Sequence, residues 1–83
     1  MVLLLNISEA TAERIIELCK NKNISVNKLA SISGLTQSTV DSIINGKSKN
    51  PQLKTILKIC YGVEIPLYEF FKSPVFQNID FDI

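Results

Sequence analysis

Histidine is absent from the 83-residue chain, and cysteine occurs only twice. Without histidine the chain lacks the commonest general base, the commonest metal ligand and any imidazole switch near neutral pH. Cys19 and Cys60 stand 41 positions apart, and two thiols are too few for a disulfide scaffold or a four-cysteine zinc site. The sequence therefore predicts no metal and no cofactor.

Long apolar runs are also missing. The run at residues 1–5 is shorter than the core of a secretion signal, and about 20 apolar residues are needed to span a bilayer. Together with the scarcity of cysteine, this predicts a cytoplasmic protein without a membrane partner.

The length and the composition bound the class of protein. With 46% hydrophobic and 20% charged residues, the chain is too apolar to stay disordered and too short for two domains. A chain of this size buries roughly 60 to 65% of its unfolded surface, enough for one core but not for a deep catalytic cavity beside it. We expect a single binding domain over residues 1–83, with its core at about 8–72 and terminal extensions at 1–5 and 75–83, and not an enzyme.

Charge is distributed unevenly along the chain. Residues 20–58 contain seven lysines and one acidic residue, Asp41, which gives this segment a net charge of +6, whereas the whole chain carries +1. A basic centre between acidic ends is typical of a surface that binds a polyanion, because lysines near phosphates release condensed counterions. A solvated lysine-rich face is the alternative that charge alone leaves open.

Helical spacing of apolar residues begins near Ser8 and continues to Lys22. Asn6 and Glu9 are placed for a capping box, and Asn23 can end the helix in the left-handed conformation. This spacing predicts a first helix whose buried positions are Ala12, Ile15, Ile16 and Cys19.

Four shorter helices are predicted after it. Ser25 and Thr36 are candidate N-caps of the second and third helices, and Pro51 is placed to open the fourth. A fifth begins near Pro66. The predicted apolar positions are Val26, Leu29, Ala30 and Ile32 in the second helix, Val40, Ile43 and Ile44 in the third, Leu53, Ile56, Leu57, Cys60 and Val63 in the fourth, and Leu67, Phe70 and Phe71 in the fifth.

Five helices joined by loops of two to six residues predict an all-α fold, a compact five-helix bundle. The two ends of the chain differ from the rest. Residues 1–5 are β-prone, and residues 79–83 alternate apolar and acidic side chains. This alternation predicts a pair of short strands, formed either within one chain or between two copies.

The second and third helices are separated by a tight turn at Gly34. Ala30 is small enough for the two helices to approach closely, and Leu29, Leu35, Val40 and Ile43 can anchor the pair on the core. This is the helix-turn-helix arrangement, in which the second helix of the pair enters the major groove of DNA.

The chain resembles the phage-repressor and Cro-like helix-turn-helix family. The resemblance rests on residues 28–51, followed by Leu53 and residues 56–59, and extends over about residues 12–72. Its most specific part is the third helix with Asn-Gly-Lys at 45–47 and Asn-Pro at 50–51 behind it. The resemblance implies a five-helix, lambda-repressor-like domain that binds double-stranded DNA in a sequence-specific manner, generally as a dimer on a palindromic operator.

Position by position, the resemblance also implies which residues touch DNA. Gln37, Ser38 and Ser42 fall where the family presents side chains to base edges, and glutamine suits adenine while serine can donate or accept. Asp41 shares this face and could accept a hydrogen bond from cytosine or repel phosphates. The candidates for contact with the sugar-phosphate backbone are Thr36, Thr39, Asn45, Lys47, Lys49, Asn50 and Lys28, with Lys54 as a weaker one.

Three features depart from the family pattern. Val26 stands where the family often has a glutamine that contacts DNA. Glu64 stands where a helix-ending glycine is usual, and Gly62 comes two residues before it. The third helix has no arginine, so two-pronged recognition of guanine is not possible from it and A·T-rich half-sites are expected.

These observations predict a small transcriptional regulator, a repressor that acts as a homodimer. The terminal segments, with Ile79, Phe81 and Ile83, are the predicted dimer surface. The other hypothesis that the sequence leaves open is a protein-interaction module, such as an antitoxin-like partner or an adaptor. Neither hypothesis involves a small-molecule ligand.

Overall fold

A computed structural model describes residues 4–81. They contain five α-helices, α1 (Ile7–Lys22), α2 (Val26–Ile32), α3 (Gln37–Ile44), α4 (Leu53–Val63) and α5 (Leu67–Phe70), followed by a 3₁₀ turn at Pro74–Phe76. The predicted all-α bundle of five helices is confirmed. Only the 3₁₀ turn has no counterpart in the sequence analysis.

The predicted start and end of α1 are confirmed. Asn6 accepts a hydrogen bond from the Glu9 amide while the Glu9 side chain accepts one from the Asn6 amide, which completes the capping box. At the other end Asn23 has φ +55° and ψ +47°, and its amide donates to the carbonyls of Cys19 and Lys20. The helix ends there because the left-handed residue turns the chain away from the helix axis.

The core lies between α1, the helix pair α2 and α3, and α4. Both cysteines belong to it, and burial raises the pKa of the Cys19 and Cys60 thiols, which keeps them protonated and unreactive. Ile16 was predicted to be buried with them but is only half-buried. The fully buried side chains are Ile15, Leu29, Val40, Ile43, Ile59, Cys60 and Phe70.

The prediction for the buried face of α4 was partly wrong. Leu53 and Leu57 were predicted to be buried, but they are 62% and 40% exposed. The core-facing residues of α4 are Ile56, Ile59, Cys60 and Val63. Because Ile59 also faces inward, the buried stripe is rotated around the helix, and Leu53 and Leu57 fall on its flank.

The loop before α4 is longer than predicted. Pro51 does not open the helix, because Gln52 keeps an extended backbone with ψ 142° and serves as the N-cap. The Gln52 carbonyl accepts hydrogen bonds from the amides of Thr55 and Ile56 at 3.0 and 3.2 Å. Residues 45–52 therefore form the connection between α3 and α4, two residues beyond the upper limit of six that we expected.

Gly62 lets α4 approach the end of α2. A methyl group at this position would lie 2.4 Å from the Ser33 Oγ and 3.1 Å from the Ile32 carbonyl carbon and oxygen. The helix continues through Gly62 and ends at Glu64, which has φ +60°. Gly62 is therefore a packing residue, whereas Glu64 occupies the left-handed position that usually favours glycine.

Arg14 joins α1 to the end of α5 from a buried position, with 6% of its surface exposed. Its Nε donates to the Phe70 carbonyl at 2.7 Å and one Nη donates to the Glu69 carbonyl at 2.8 Å. The other Nη is paired with the Glu17 carboxylate, and the guanidinium lies 5.9 Å from the centre of the Phe70 ring. Arg14 thus supplies a donor to the Phe70 carbonyl, which the end of α5 leaves without a helical partner, and a further donor to the Glu69 carbonyl, which also accepts from the Lys72 amide at 3.2 Å.

The two ends of the described chain meet in one parallel β-bridge, between Leu5 and Ile79. The Asp80 amide donates to the Leu5 carbonyl at 2.9 Å. Within the described residues the predicted pair of short strands is reduced to this one bridge inside a single chain, and the alternating face is not buried, because Phe81 is 91% exposed. Residues 1–3 and 82–83, which share this prediction, lie outside the described residues.

Candidate nucleic-acid interface

The turn between α2 and α3 is built as the sequence predicts. Gly34 has φ +68°, and the Leu35 amide donates to the Ala30 carbonyl at 2.9 Å. Ala30 is 2% exposed and Val26 packs against the core. Because Val26 is half-buried, it contributes to packing where the family often has a polar side chain.

Thr36 fixes the start of α3. Its Oγ1 accepts a hydrogen bond from the Thr39 amide at 3.2 Å and lies 2.9 Å from the Thr39 hydroxyl. Thr36 therefore caps the helix as predicted, and the Thr39 hydroxyl is held at the cap. The core residues of this helix are Val40 and Ile43, which fix the opposite face toward solvent.

The outer face of α3 carries short polar side chains. Gln37 and Ser38 are exposed, and Asp41 and Ser42 are half-buried. None of these four side chains forms a hydrogen bond or an ion pair within residues 4–81. Their donors and acceptors are open to an external partner.

The loop after α3 folds back on the helix. The Ser42 carbonyl accepts hydrogen bonds from the amides of Lys47 and Ser48, each at 2.9 Å. Gly46, just before Lys47, has φ +77° and lets the chain turn back. This closure places Lys47 and Lys49 on the exposed side of the loop. Among the described residues, Arg14 and Glu17 form the one ion pair. The amino groups of Lys47 and Lys49 therefore have no acidic partner there.

A shallow groove of about 530 Å³ runs between α3 and the start of α4. Its polar lining consists of hydroxyl and amide side chains and includes no charged residue: Ser38, Thr39, Ser42, Ser48, Asn50, Gln52 and Thr55. Ser48, Gln52 and Thr55 were not among the predicted site residues. The sequence carries no local signal for them, because the groove forms only when the loop and α4 pack beside α3.

A second groove, of about 420 Å³, lies on the other side of the loop against the start of α1. Lys49, Asn50 and Gly46 line it together with Asn6 and Glu9. Lys49 and Asn50 thus sit between the N-terminal ends of α1 and α4.

A family model of the Cro/C1-type HTH DNA-binding domain matches residues 14–72. The chain belongs to this family. The Cro/C1-type match covers the whole helix-turn-helix pair, the loop after α3, and α4 and α5. It makes the chain a DNA-binding regulator, from a family that is generally non-enzymatic.

A solved structure supports the same conclusion. The fold is similar to the crystal structure of the prophage Lp1 protein 11, with a TM-score of 0.78 and 33% sequence identity. The similarity covers 92% of this chain and 100% of that chain. Comparison with curated proteins gives no match.

The predicted site residues of this Cro/C1-type domain fall into two groups. The groove between α3 and α4 brings together Ser38, Thr39, Ser42 and Asn50. The remaining predicted residues do not line that groove: Thr36, Gln37, Asp41, Asn45, Lys47, Lys49 and Lys28. Of these, Lys28 is the outlier, because it lies on α2, where its amide donates to the Ser25 cap at 3.0 Å.

Within residues 4–81, no helix has both the length and the hydrophobicity needed to cross a bilayer.

Proposed function

We propose that this domain is a repressor that binds a palindromic operator as a homodimer, with α3 of each protomer in the major groove. The observation that carries the proposal is the outer face of α3, whose polar side chains have no partner within the described residues. A polar face without internal hydrogen bonds can exchange water for base edges at little cost to the fold.

Gln37, Ser38 and Ser42 are the proposed base-reading residues. Gln37 is the first residue of α3, the end of a recognition helix that reaches the bases. Its amide can donate to adenine N7 and accept from adenine N6, while the shorter serines can act as donor or acceptor. The absence of arginine from α3 favours A·T-rich half-sites.

The loop after α3 and the cap of α3 are the proposed grip on the sugar-phosphate backbone. Lys47 and Lys49 supply charge that no acidic residue among the described ones pairs with. The hydroxyl and amide groups of Thr36, Thr39, Asn45 and Asn50 suit phosphate oxygens. Lys28 is a further candidate, from α2. Each lysine that neutralises a phosphate makes binding more sensitive to salt.

Asp41 is proposed to disfavour binding of the domain to DNA in a wrong register. It is half-buried and has no hydrogen-bond or ion-pair partner within residues 4–81, so its carboxylate repels phosphates in wrong registers. It can still accept from cytosine N4 in a matching sequence.

Two substitutions on exposed residues test the proposed roles. Gln37→Ala should cost about 1 to 3 kcal/mol of binding free energy at one base position, because one base edge loses its partner. Lys49→Ala should weaken binding to all duplexes alike and reduce the salt slope by about one. Binding is measured by fluorescence anisotropy on labelled duplexes at several salt concentrations. If both variants bound every duplex as the parent does, the proposed roles would be wrong.

Selection of bound sequences from a random duplex pool tests the operator. We expect inverted half-sites whose centres are about 34 Å apart, one turn of B-DNA. Recovery of random sequences would contradict sequence-specific recognition. Transcription from a promoter that contains the selected site, measured with and without the protein, tests repression.

A further inference from the structure

Asn45 is followed directly by Gly46, in the loop that joins α3 to α4. Of the seven asparagines in the chain, it is the one that precedes a glycine. Asn45 and Gly46 are both exposed, and the Asn45 side chain has no hydrogen-bond partner within residues 4–81. This side-chain amide is therefore open to reaction with the neighbouring backbone and with water.

An asparagine side chain can be attacked by the backbone nitrogen of the residue that follows it. The Gly46 nitrogen loses its proton and bonds to the side-chain carbonyl carbon of Asn45, while the C–NH₂ bond breaks and ammonia leaves. The resulting five-membered succinimide ring takes up one water and opens at either of its carbonyls. The product is aspartate, or isoaspartate, in which the backbone runs through the former side chain. The reaction consumes only water, which is why asparagine is a thermolabile residue.

Gly46 favours closure of this ring. Glycine has no side chain to obstruct the attack and adopts backbone conformations that other residues avoid. Gly46 already has φ +77°, and a methyl group at this position would meet no atom within 4 Å. The space around the attacking nitrogen is therefore open.

The other asparagines lack this arrangement. Three precede isoleucine, whose branched side chain crowds the backbone nitrogen, two precede lysine, and Asn50 precedes Pro51. Asn50 is exposed in the same loop, but the proline nitrogen carries no hydrogen and cannot make the attack. Asn50 therefore serves as a control within the chain.

The folded loop controls how fast the reaction can proceed. At the Asn45 ψ of 4°, the Gly46 nitrogen eclipses the Asn45 nitrogen and lies away from the side chain. Rotation about this bond breaks the hydrogen bond from Gly46 to the Ile43 carbonyl, which is long at 3.3 Å, and opens the closure of the loop on the Ser42 carbonyl. Exposed hydrogen bonds of this kind open far more often than a whole domain unfolds.

The product would place negative charge in the proposed grip on DNA. Residues 45–50 contain Lys47 and Lys49 and no acidic residue. A carboxylate at position 45 lowers the net charge of this loop by one and repels phosphates. Isoaspartate also lengthens the backbone by one atom, which displaces Lys47 from its position in the closed loop.

We propose that Asn45 is a site of spontaneous deamidation that gradually weakens DNA binding, and that bound DNA protects it. The effect on binding rests on the proposed function, whereas the modification itself does not. DNA that contacts the closed loop stabilises the closed conformation and disfavours the opening that the reaction needs. Free protein therefore loses affinity with time, and protein on DNA retains it.

Mass spectrometry of the full chain tests the modification. The parent is incubated for several days in heavy-oxygen water at physiological temperature and mildly alkaline pH. The tryptic peptide 29–47, which contains Asn45, should exchange its NH₂ group for a labelled hydroxyl, and the peptide 50–54, which contains Asn50, should not. Asn45→Gln is the matched variant and should stay unlabelled, because its longer side chain cannot close the five-membered ring. An unlabelled parent peptide 29–47, or faster labelling at another asparagine, would overturn the proposal.

Fluorescence anisotropy on a labelled random-sequence duplex tests the consequence. Parent protein modified at Asn45 should bind about tenfold more weakly than fresh parent, and fresh Asn45→Asp should reproduce this loss. Asn45→Gln is compared only with itself, and its affinity should not fall during incubation. Circular dichroism of the modified parent should be unchanged. Unaltered affinity after modification, or a loss of helix content, would overturn the effect on DNA binding.

Incubation with and without saturating duplex tests the protection and separates this inference from the proposed function. The rate of labelling at Asn45 should fall about tenfold when duplex is bound. Equal rates would contradict protection by DNA. If fresh parent binds no duplex, the proposed function fails, while the labelling of Asn45 still decides whether the modification site exists.

Discussion

Two polar regions of this domain use their hydrogen-bonding groups in opposite ways. Arg14 directs its guanidinium inward, to the Phe70 and Glu69 carbonyls and to the Glu17 carboxylate. On the outer face of α3, the side chains of Gln37, Ser38 and Ser42 have no partner within the described residues.

The difference separates stability from binding. A buried donor that already has partners stabilises the fold, and removing it leaves its acceptors unsatisfied. An exposed side chain without partners contributes little to the fold, and removing it leaves stability nearly unchanged. Substitutions at Arg14 should therefore alter the free energy of unfolding, and substitutions on α3 should alter the free energy of DNA binding.

Arg14→Met should produce the largest effect. It retains much of the side-chain volume but leaves the buried Phe70 carbonyl and the Glu17 carboxylate without their donor, while the Glu69 carbonyl keeps the Lys72 amide. We expect a loss of about 3 kcal/mol in the free energy of unfolding, a large share of the total for a domain of this size. Urea denaturation followed by circular dichroism measures it.

Arg14→Lys serves as the control. Lysine keeps the positive charge but cannot donate to both carbonyls from one planar group, so it should restore only part of the loss. The division between Arg14 for stability and α3 for DNA binding would be wrong if Arg14→Met had the same free energy of unfolding as the parent, or if folded Arg14→Met bound DNA more weakly.

Ser33 is the exception on the buried side. It is 7% exposed, and its Oγ has no hydrogen-bond partner within residues 4–81. The hydroxyl also occupies the space that a methyl group on Gly62 would need. Gly62→Ala should lower stability by about 1.5 kcal/mol, because overpacking costs more than the helix propensity of alanine returns. Thermal denaturation measures the change.

Ser33→Ala sharpens this prediction. Alone it should raise stability by about 1 kcal/mol, since a buried hydroxyl without a partner is removed. Combined with Gly62→Ala, it should relieve the closest contact, so the double variant should be more stable than the sum of the single effects. Simple additivity would show that Gly62 is not a contact residue for Ser33.

The parts of the fold that could be predicted are those with local signals. Asn6, Ser25 and Thr36 each cap a helix through an amide three residues away, and Gly34 sets the turn within four residues of Ala30. The chemistry that fixes these features lies inside one short segment of sequence. The helix-turn-helix pair and the position of α3 were predictable for this reason.

The parts that could not be predicted depend on residues far apart in the sequence. Arg14 reaches carbonyls 55 and 56 positions away, and its charge alone indicates a surface residue. Leu53 and Leu57 match helical spacing as well as Ile59 does, and only the packed neighbours decide which of them is buried. The exposure of Leu53 and Leu57 and the hydroxyl groups of Thr55 and Ser48 in the groove were missed because both arise from tertiary packing.

The smallest effect is expected where local sequence and backbone conformation disagree. Asn23 and Glu64 end α1 and α4 with nearly the same left-handed geometry, φ +55° and +60°, and each amide donates to the preceding turn. Asparagine tolerates this conformation, but glutamate gains nothing from it. Glu64→Gly should therefore raise the free energy of unfolding by about 1 kcal/mol, a rise of about 4 to 8 °C in Tm, whereas Asn23→Gly should change it little. Glu64→Ala is the control, because it removes the carboxylate but keeps the backbone strain. Equal gains from the alanine and glycine variants would assign the effect to the side chain and not to the backbone.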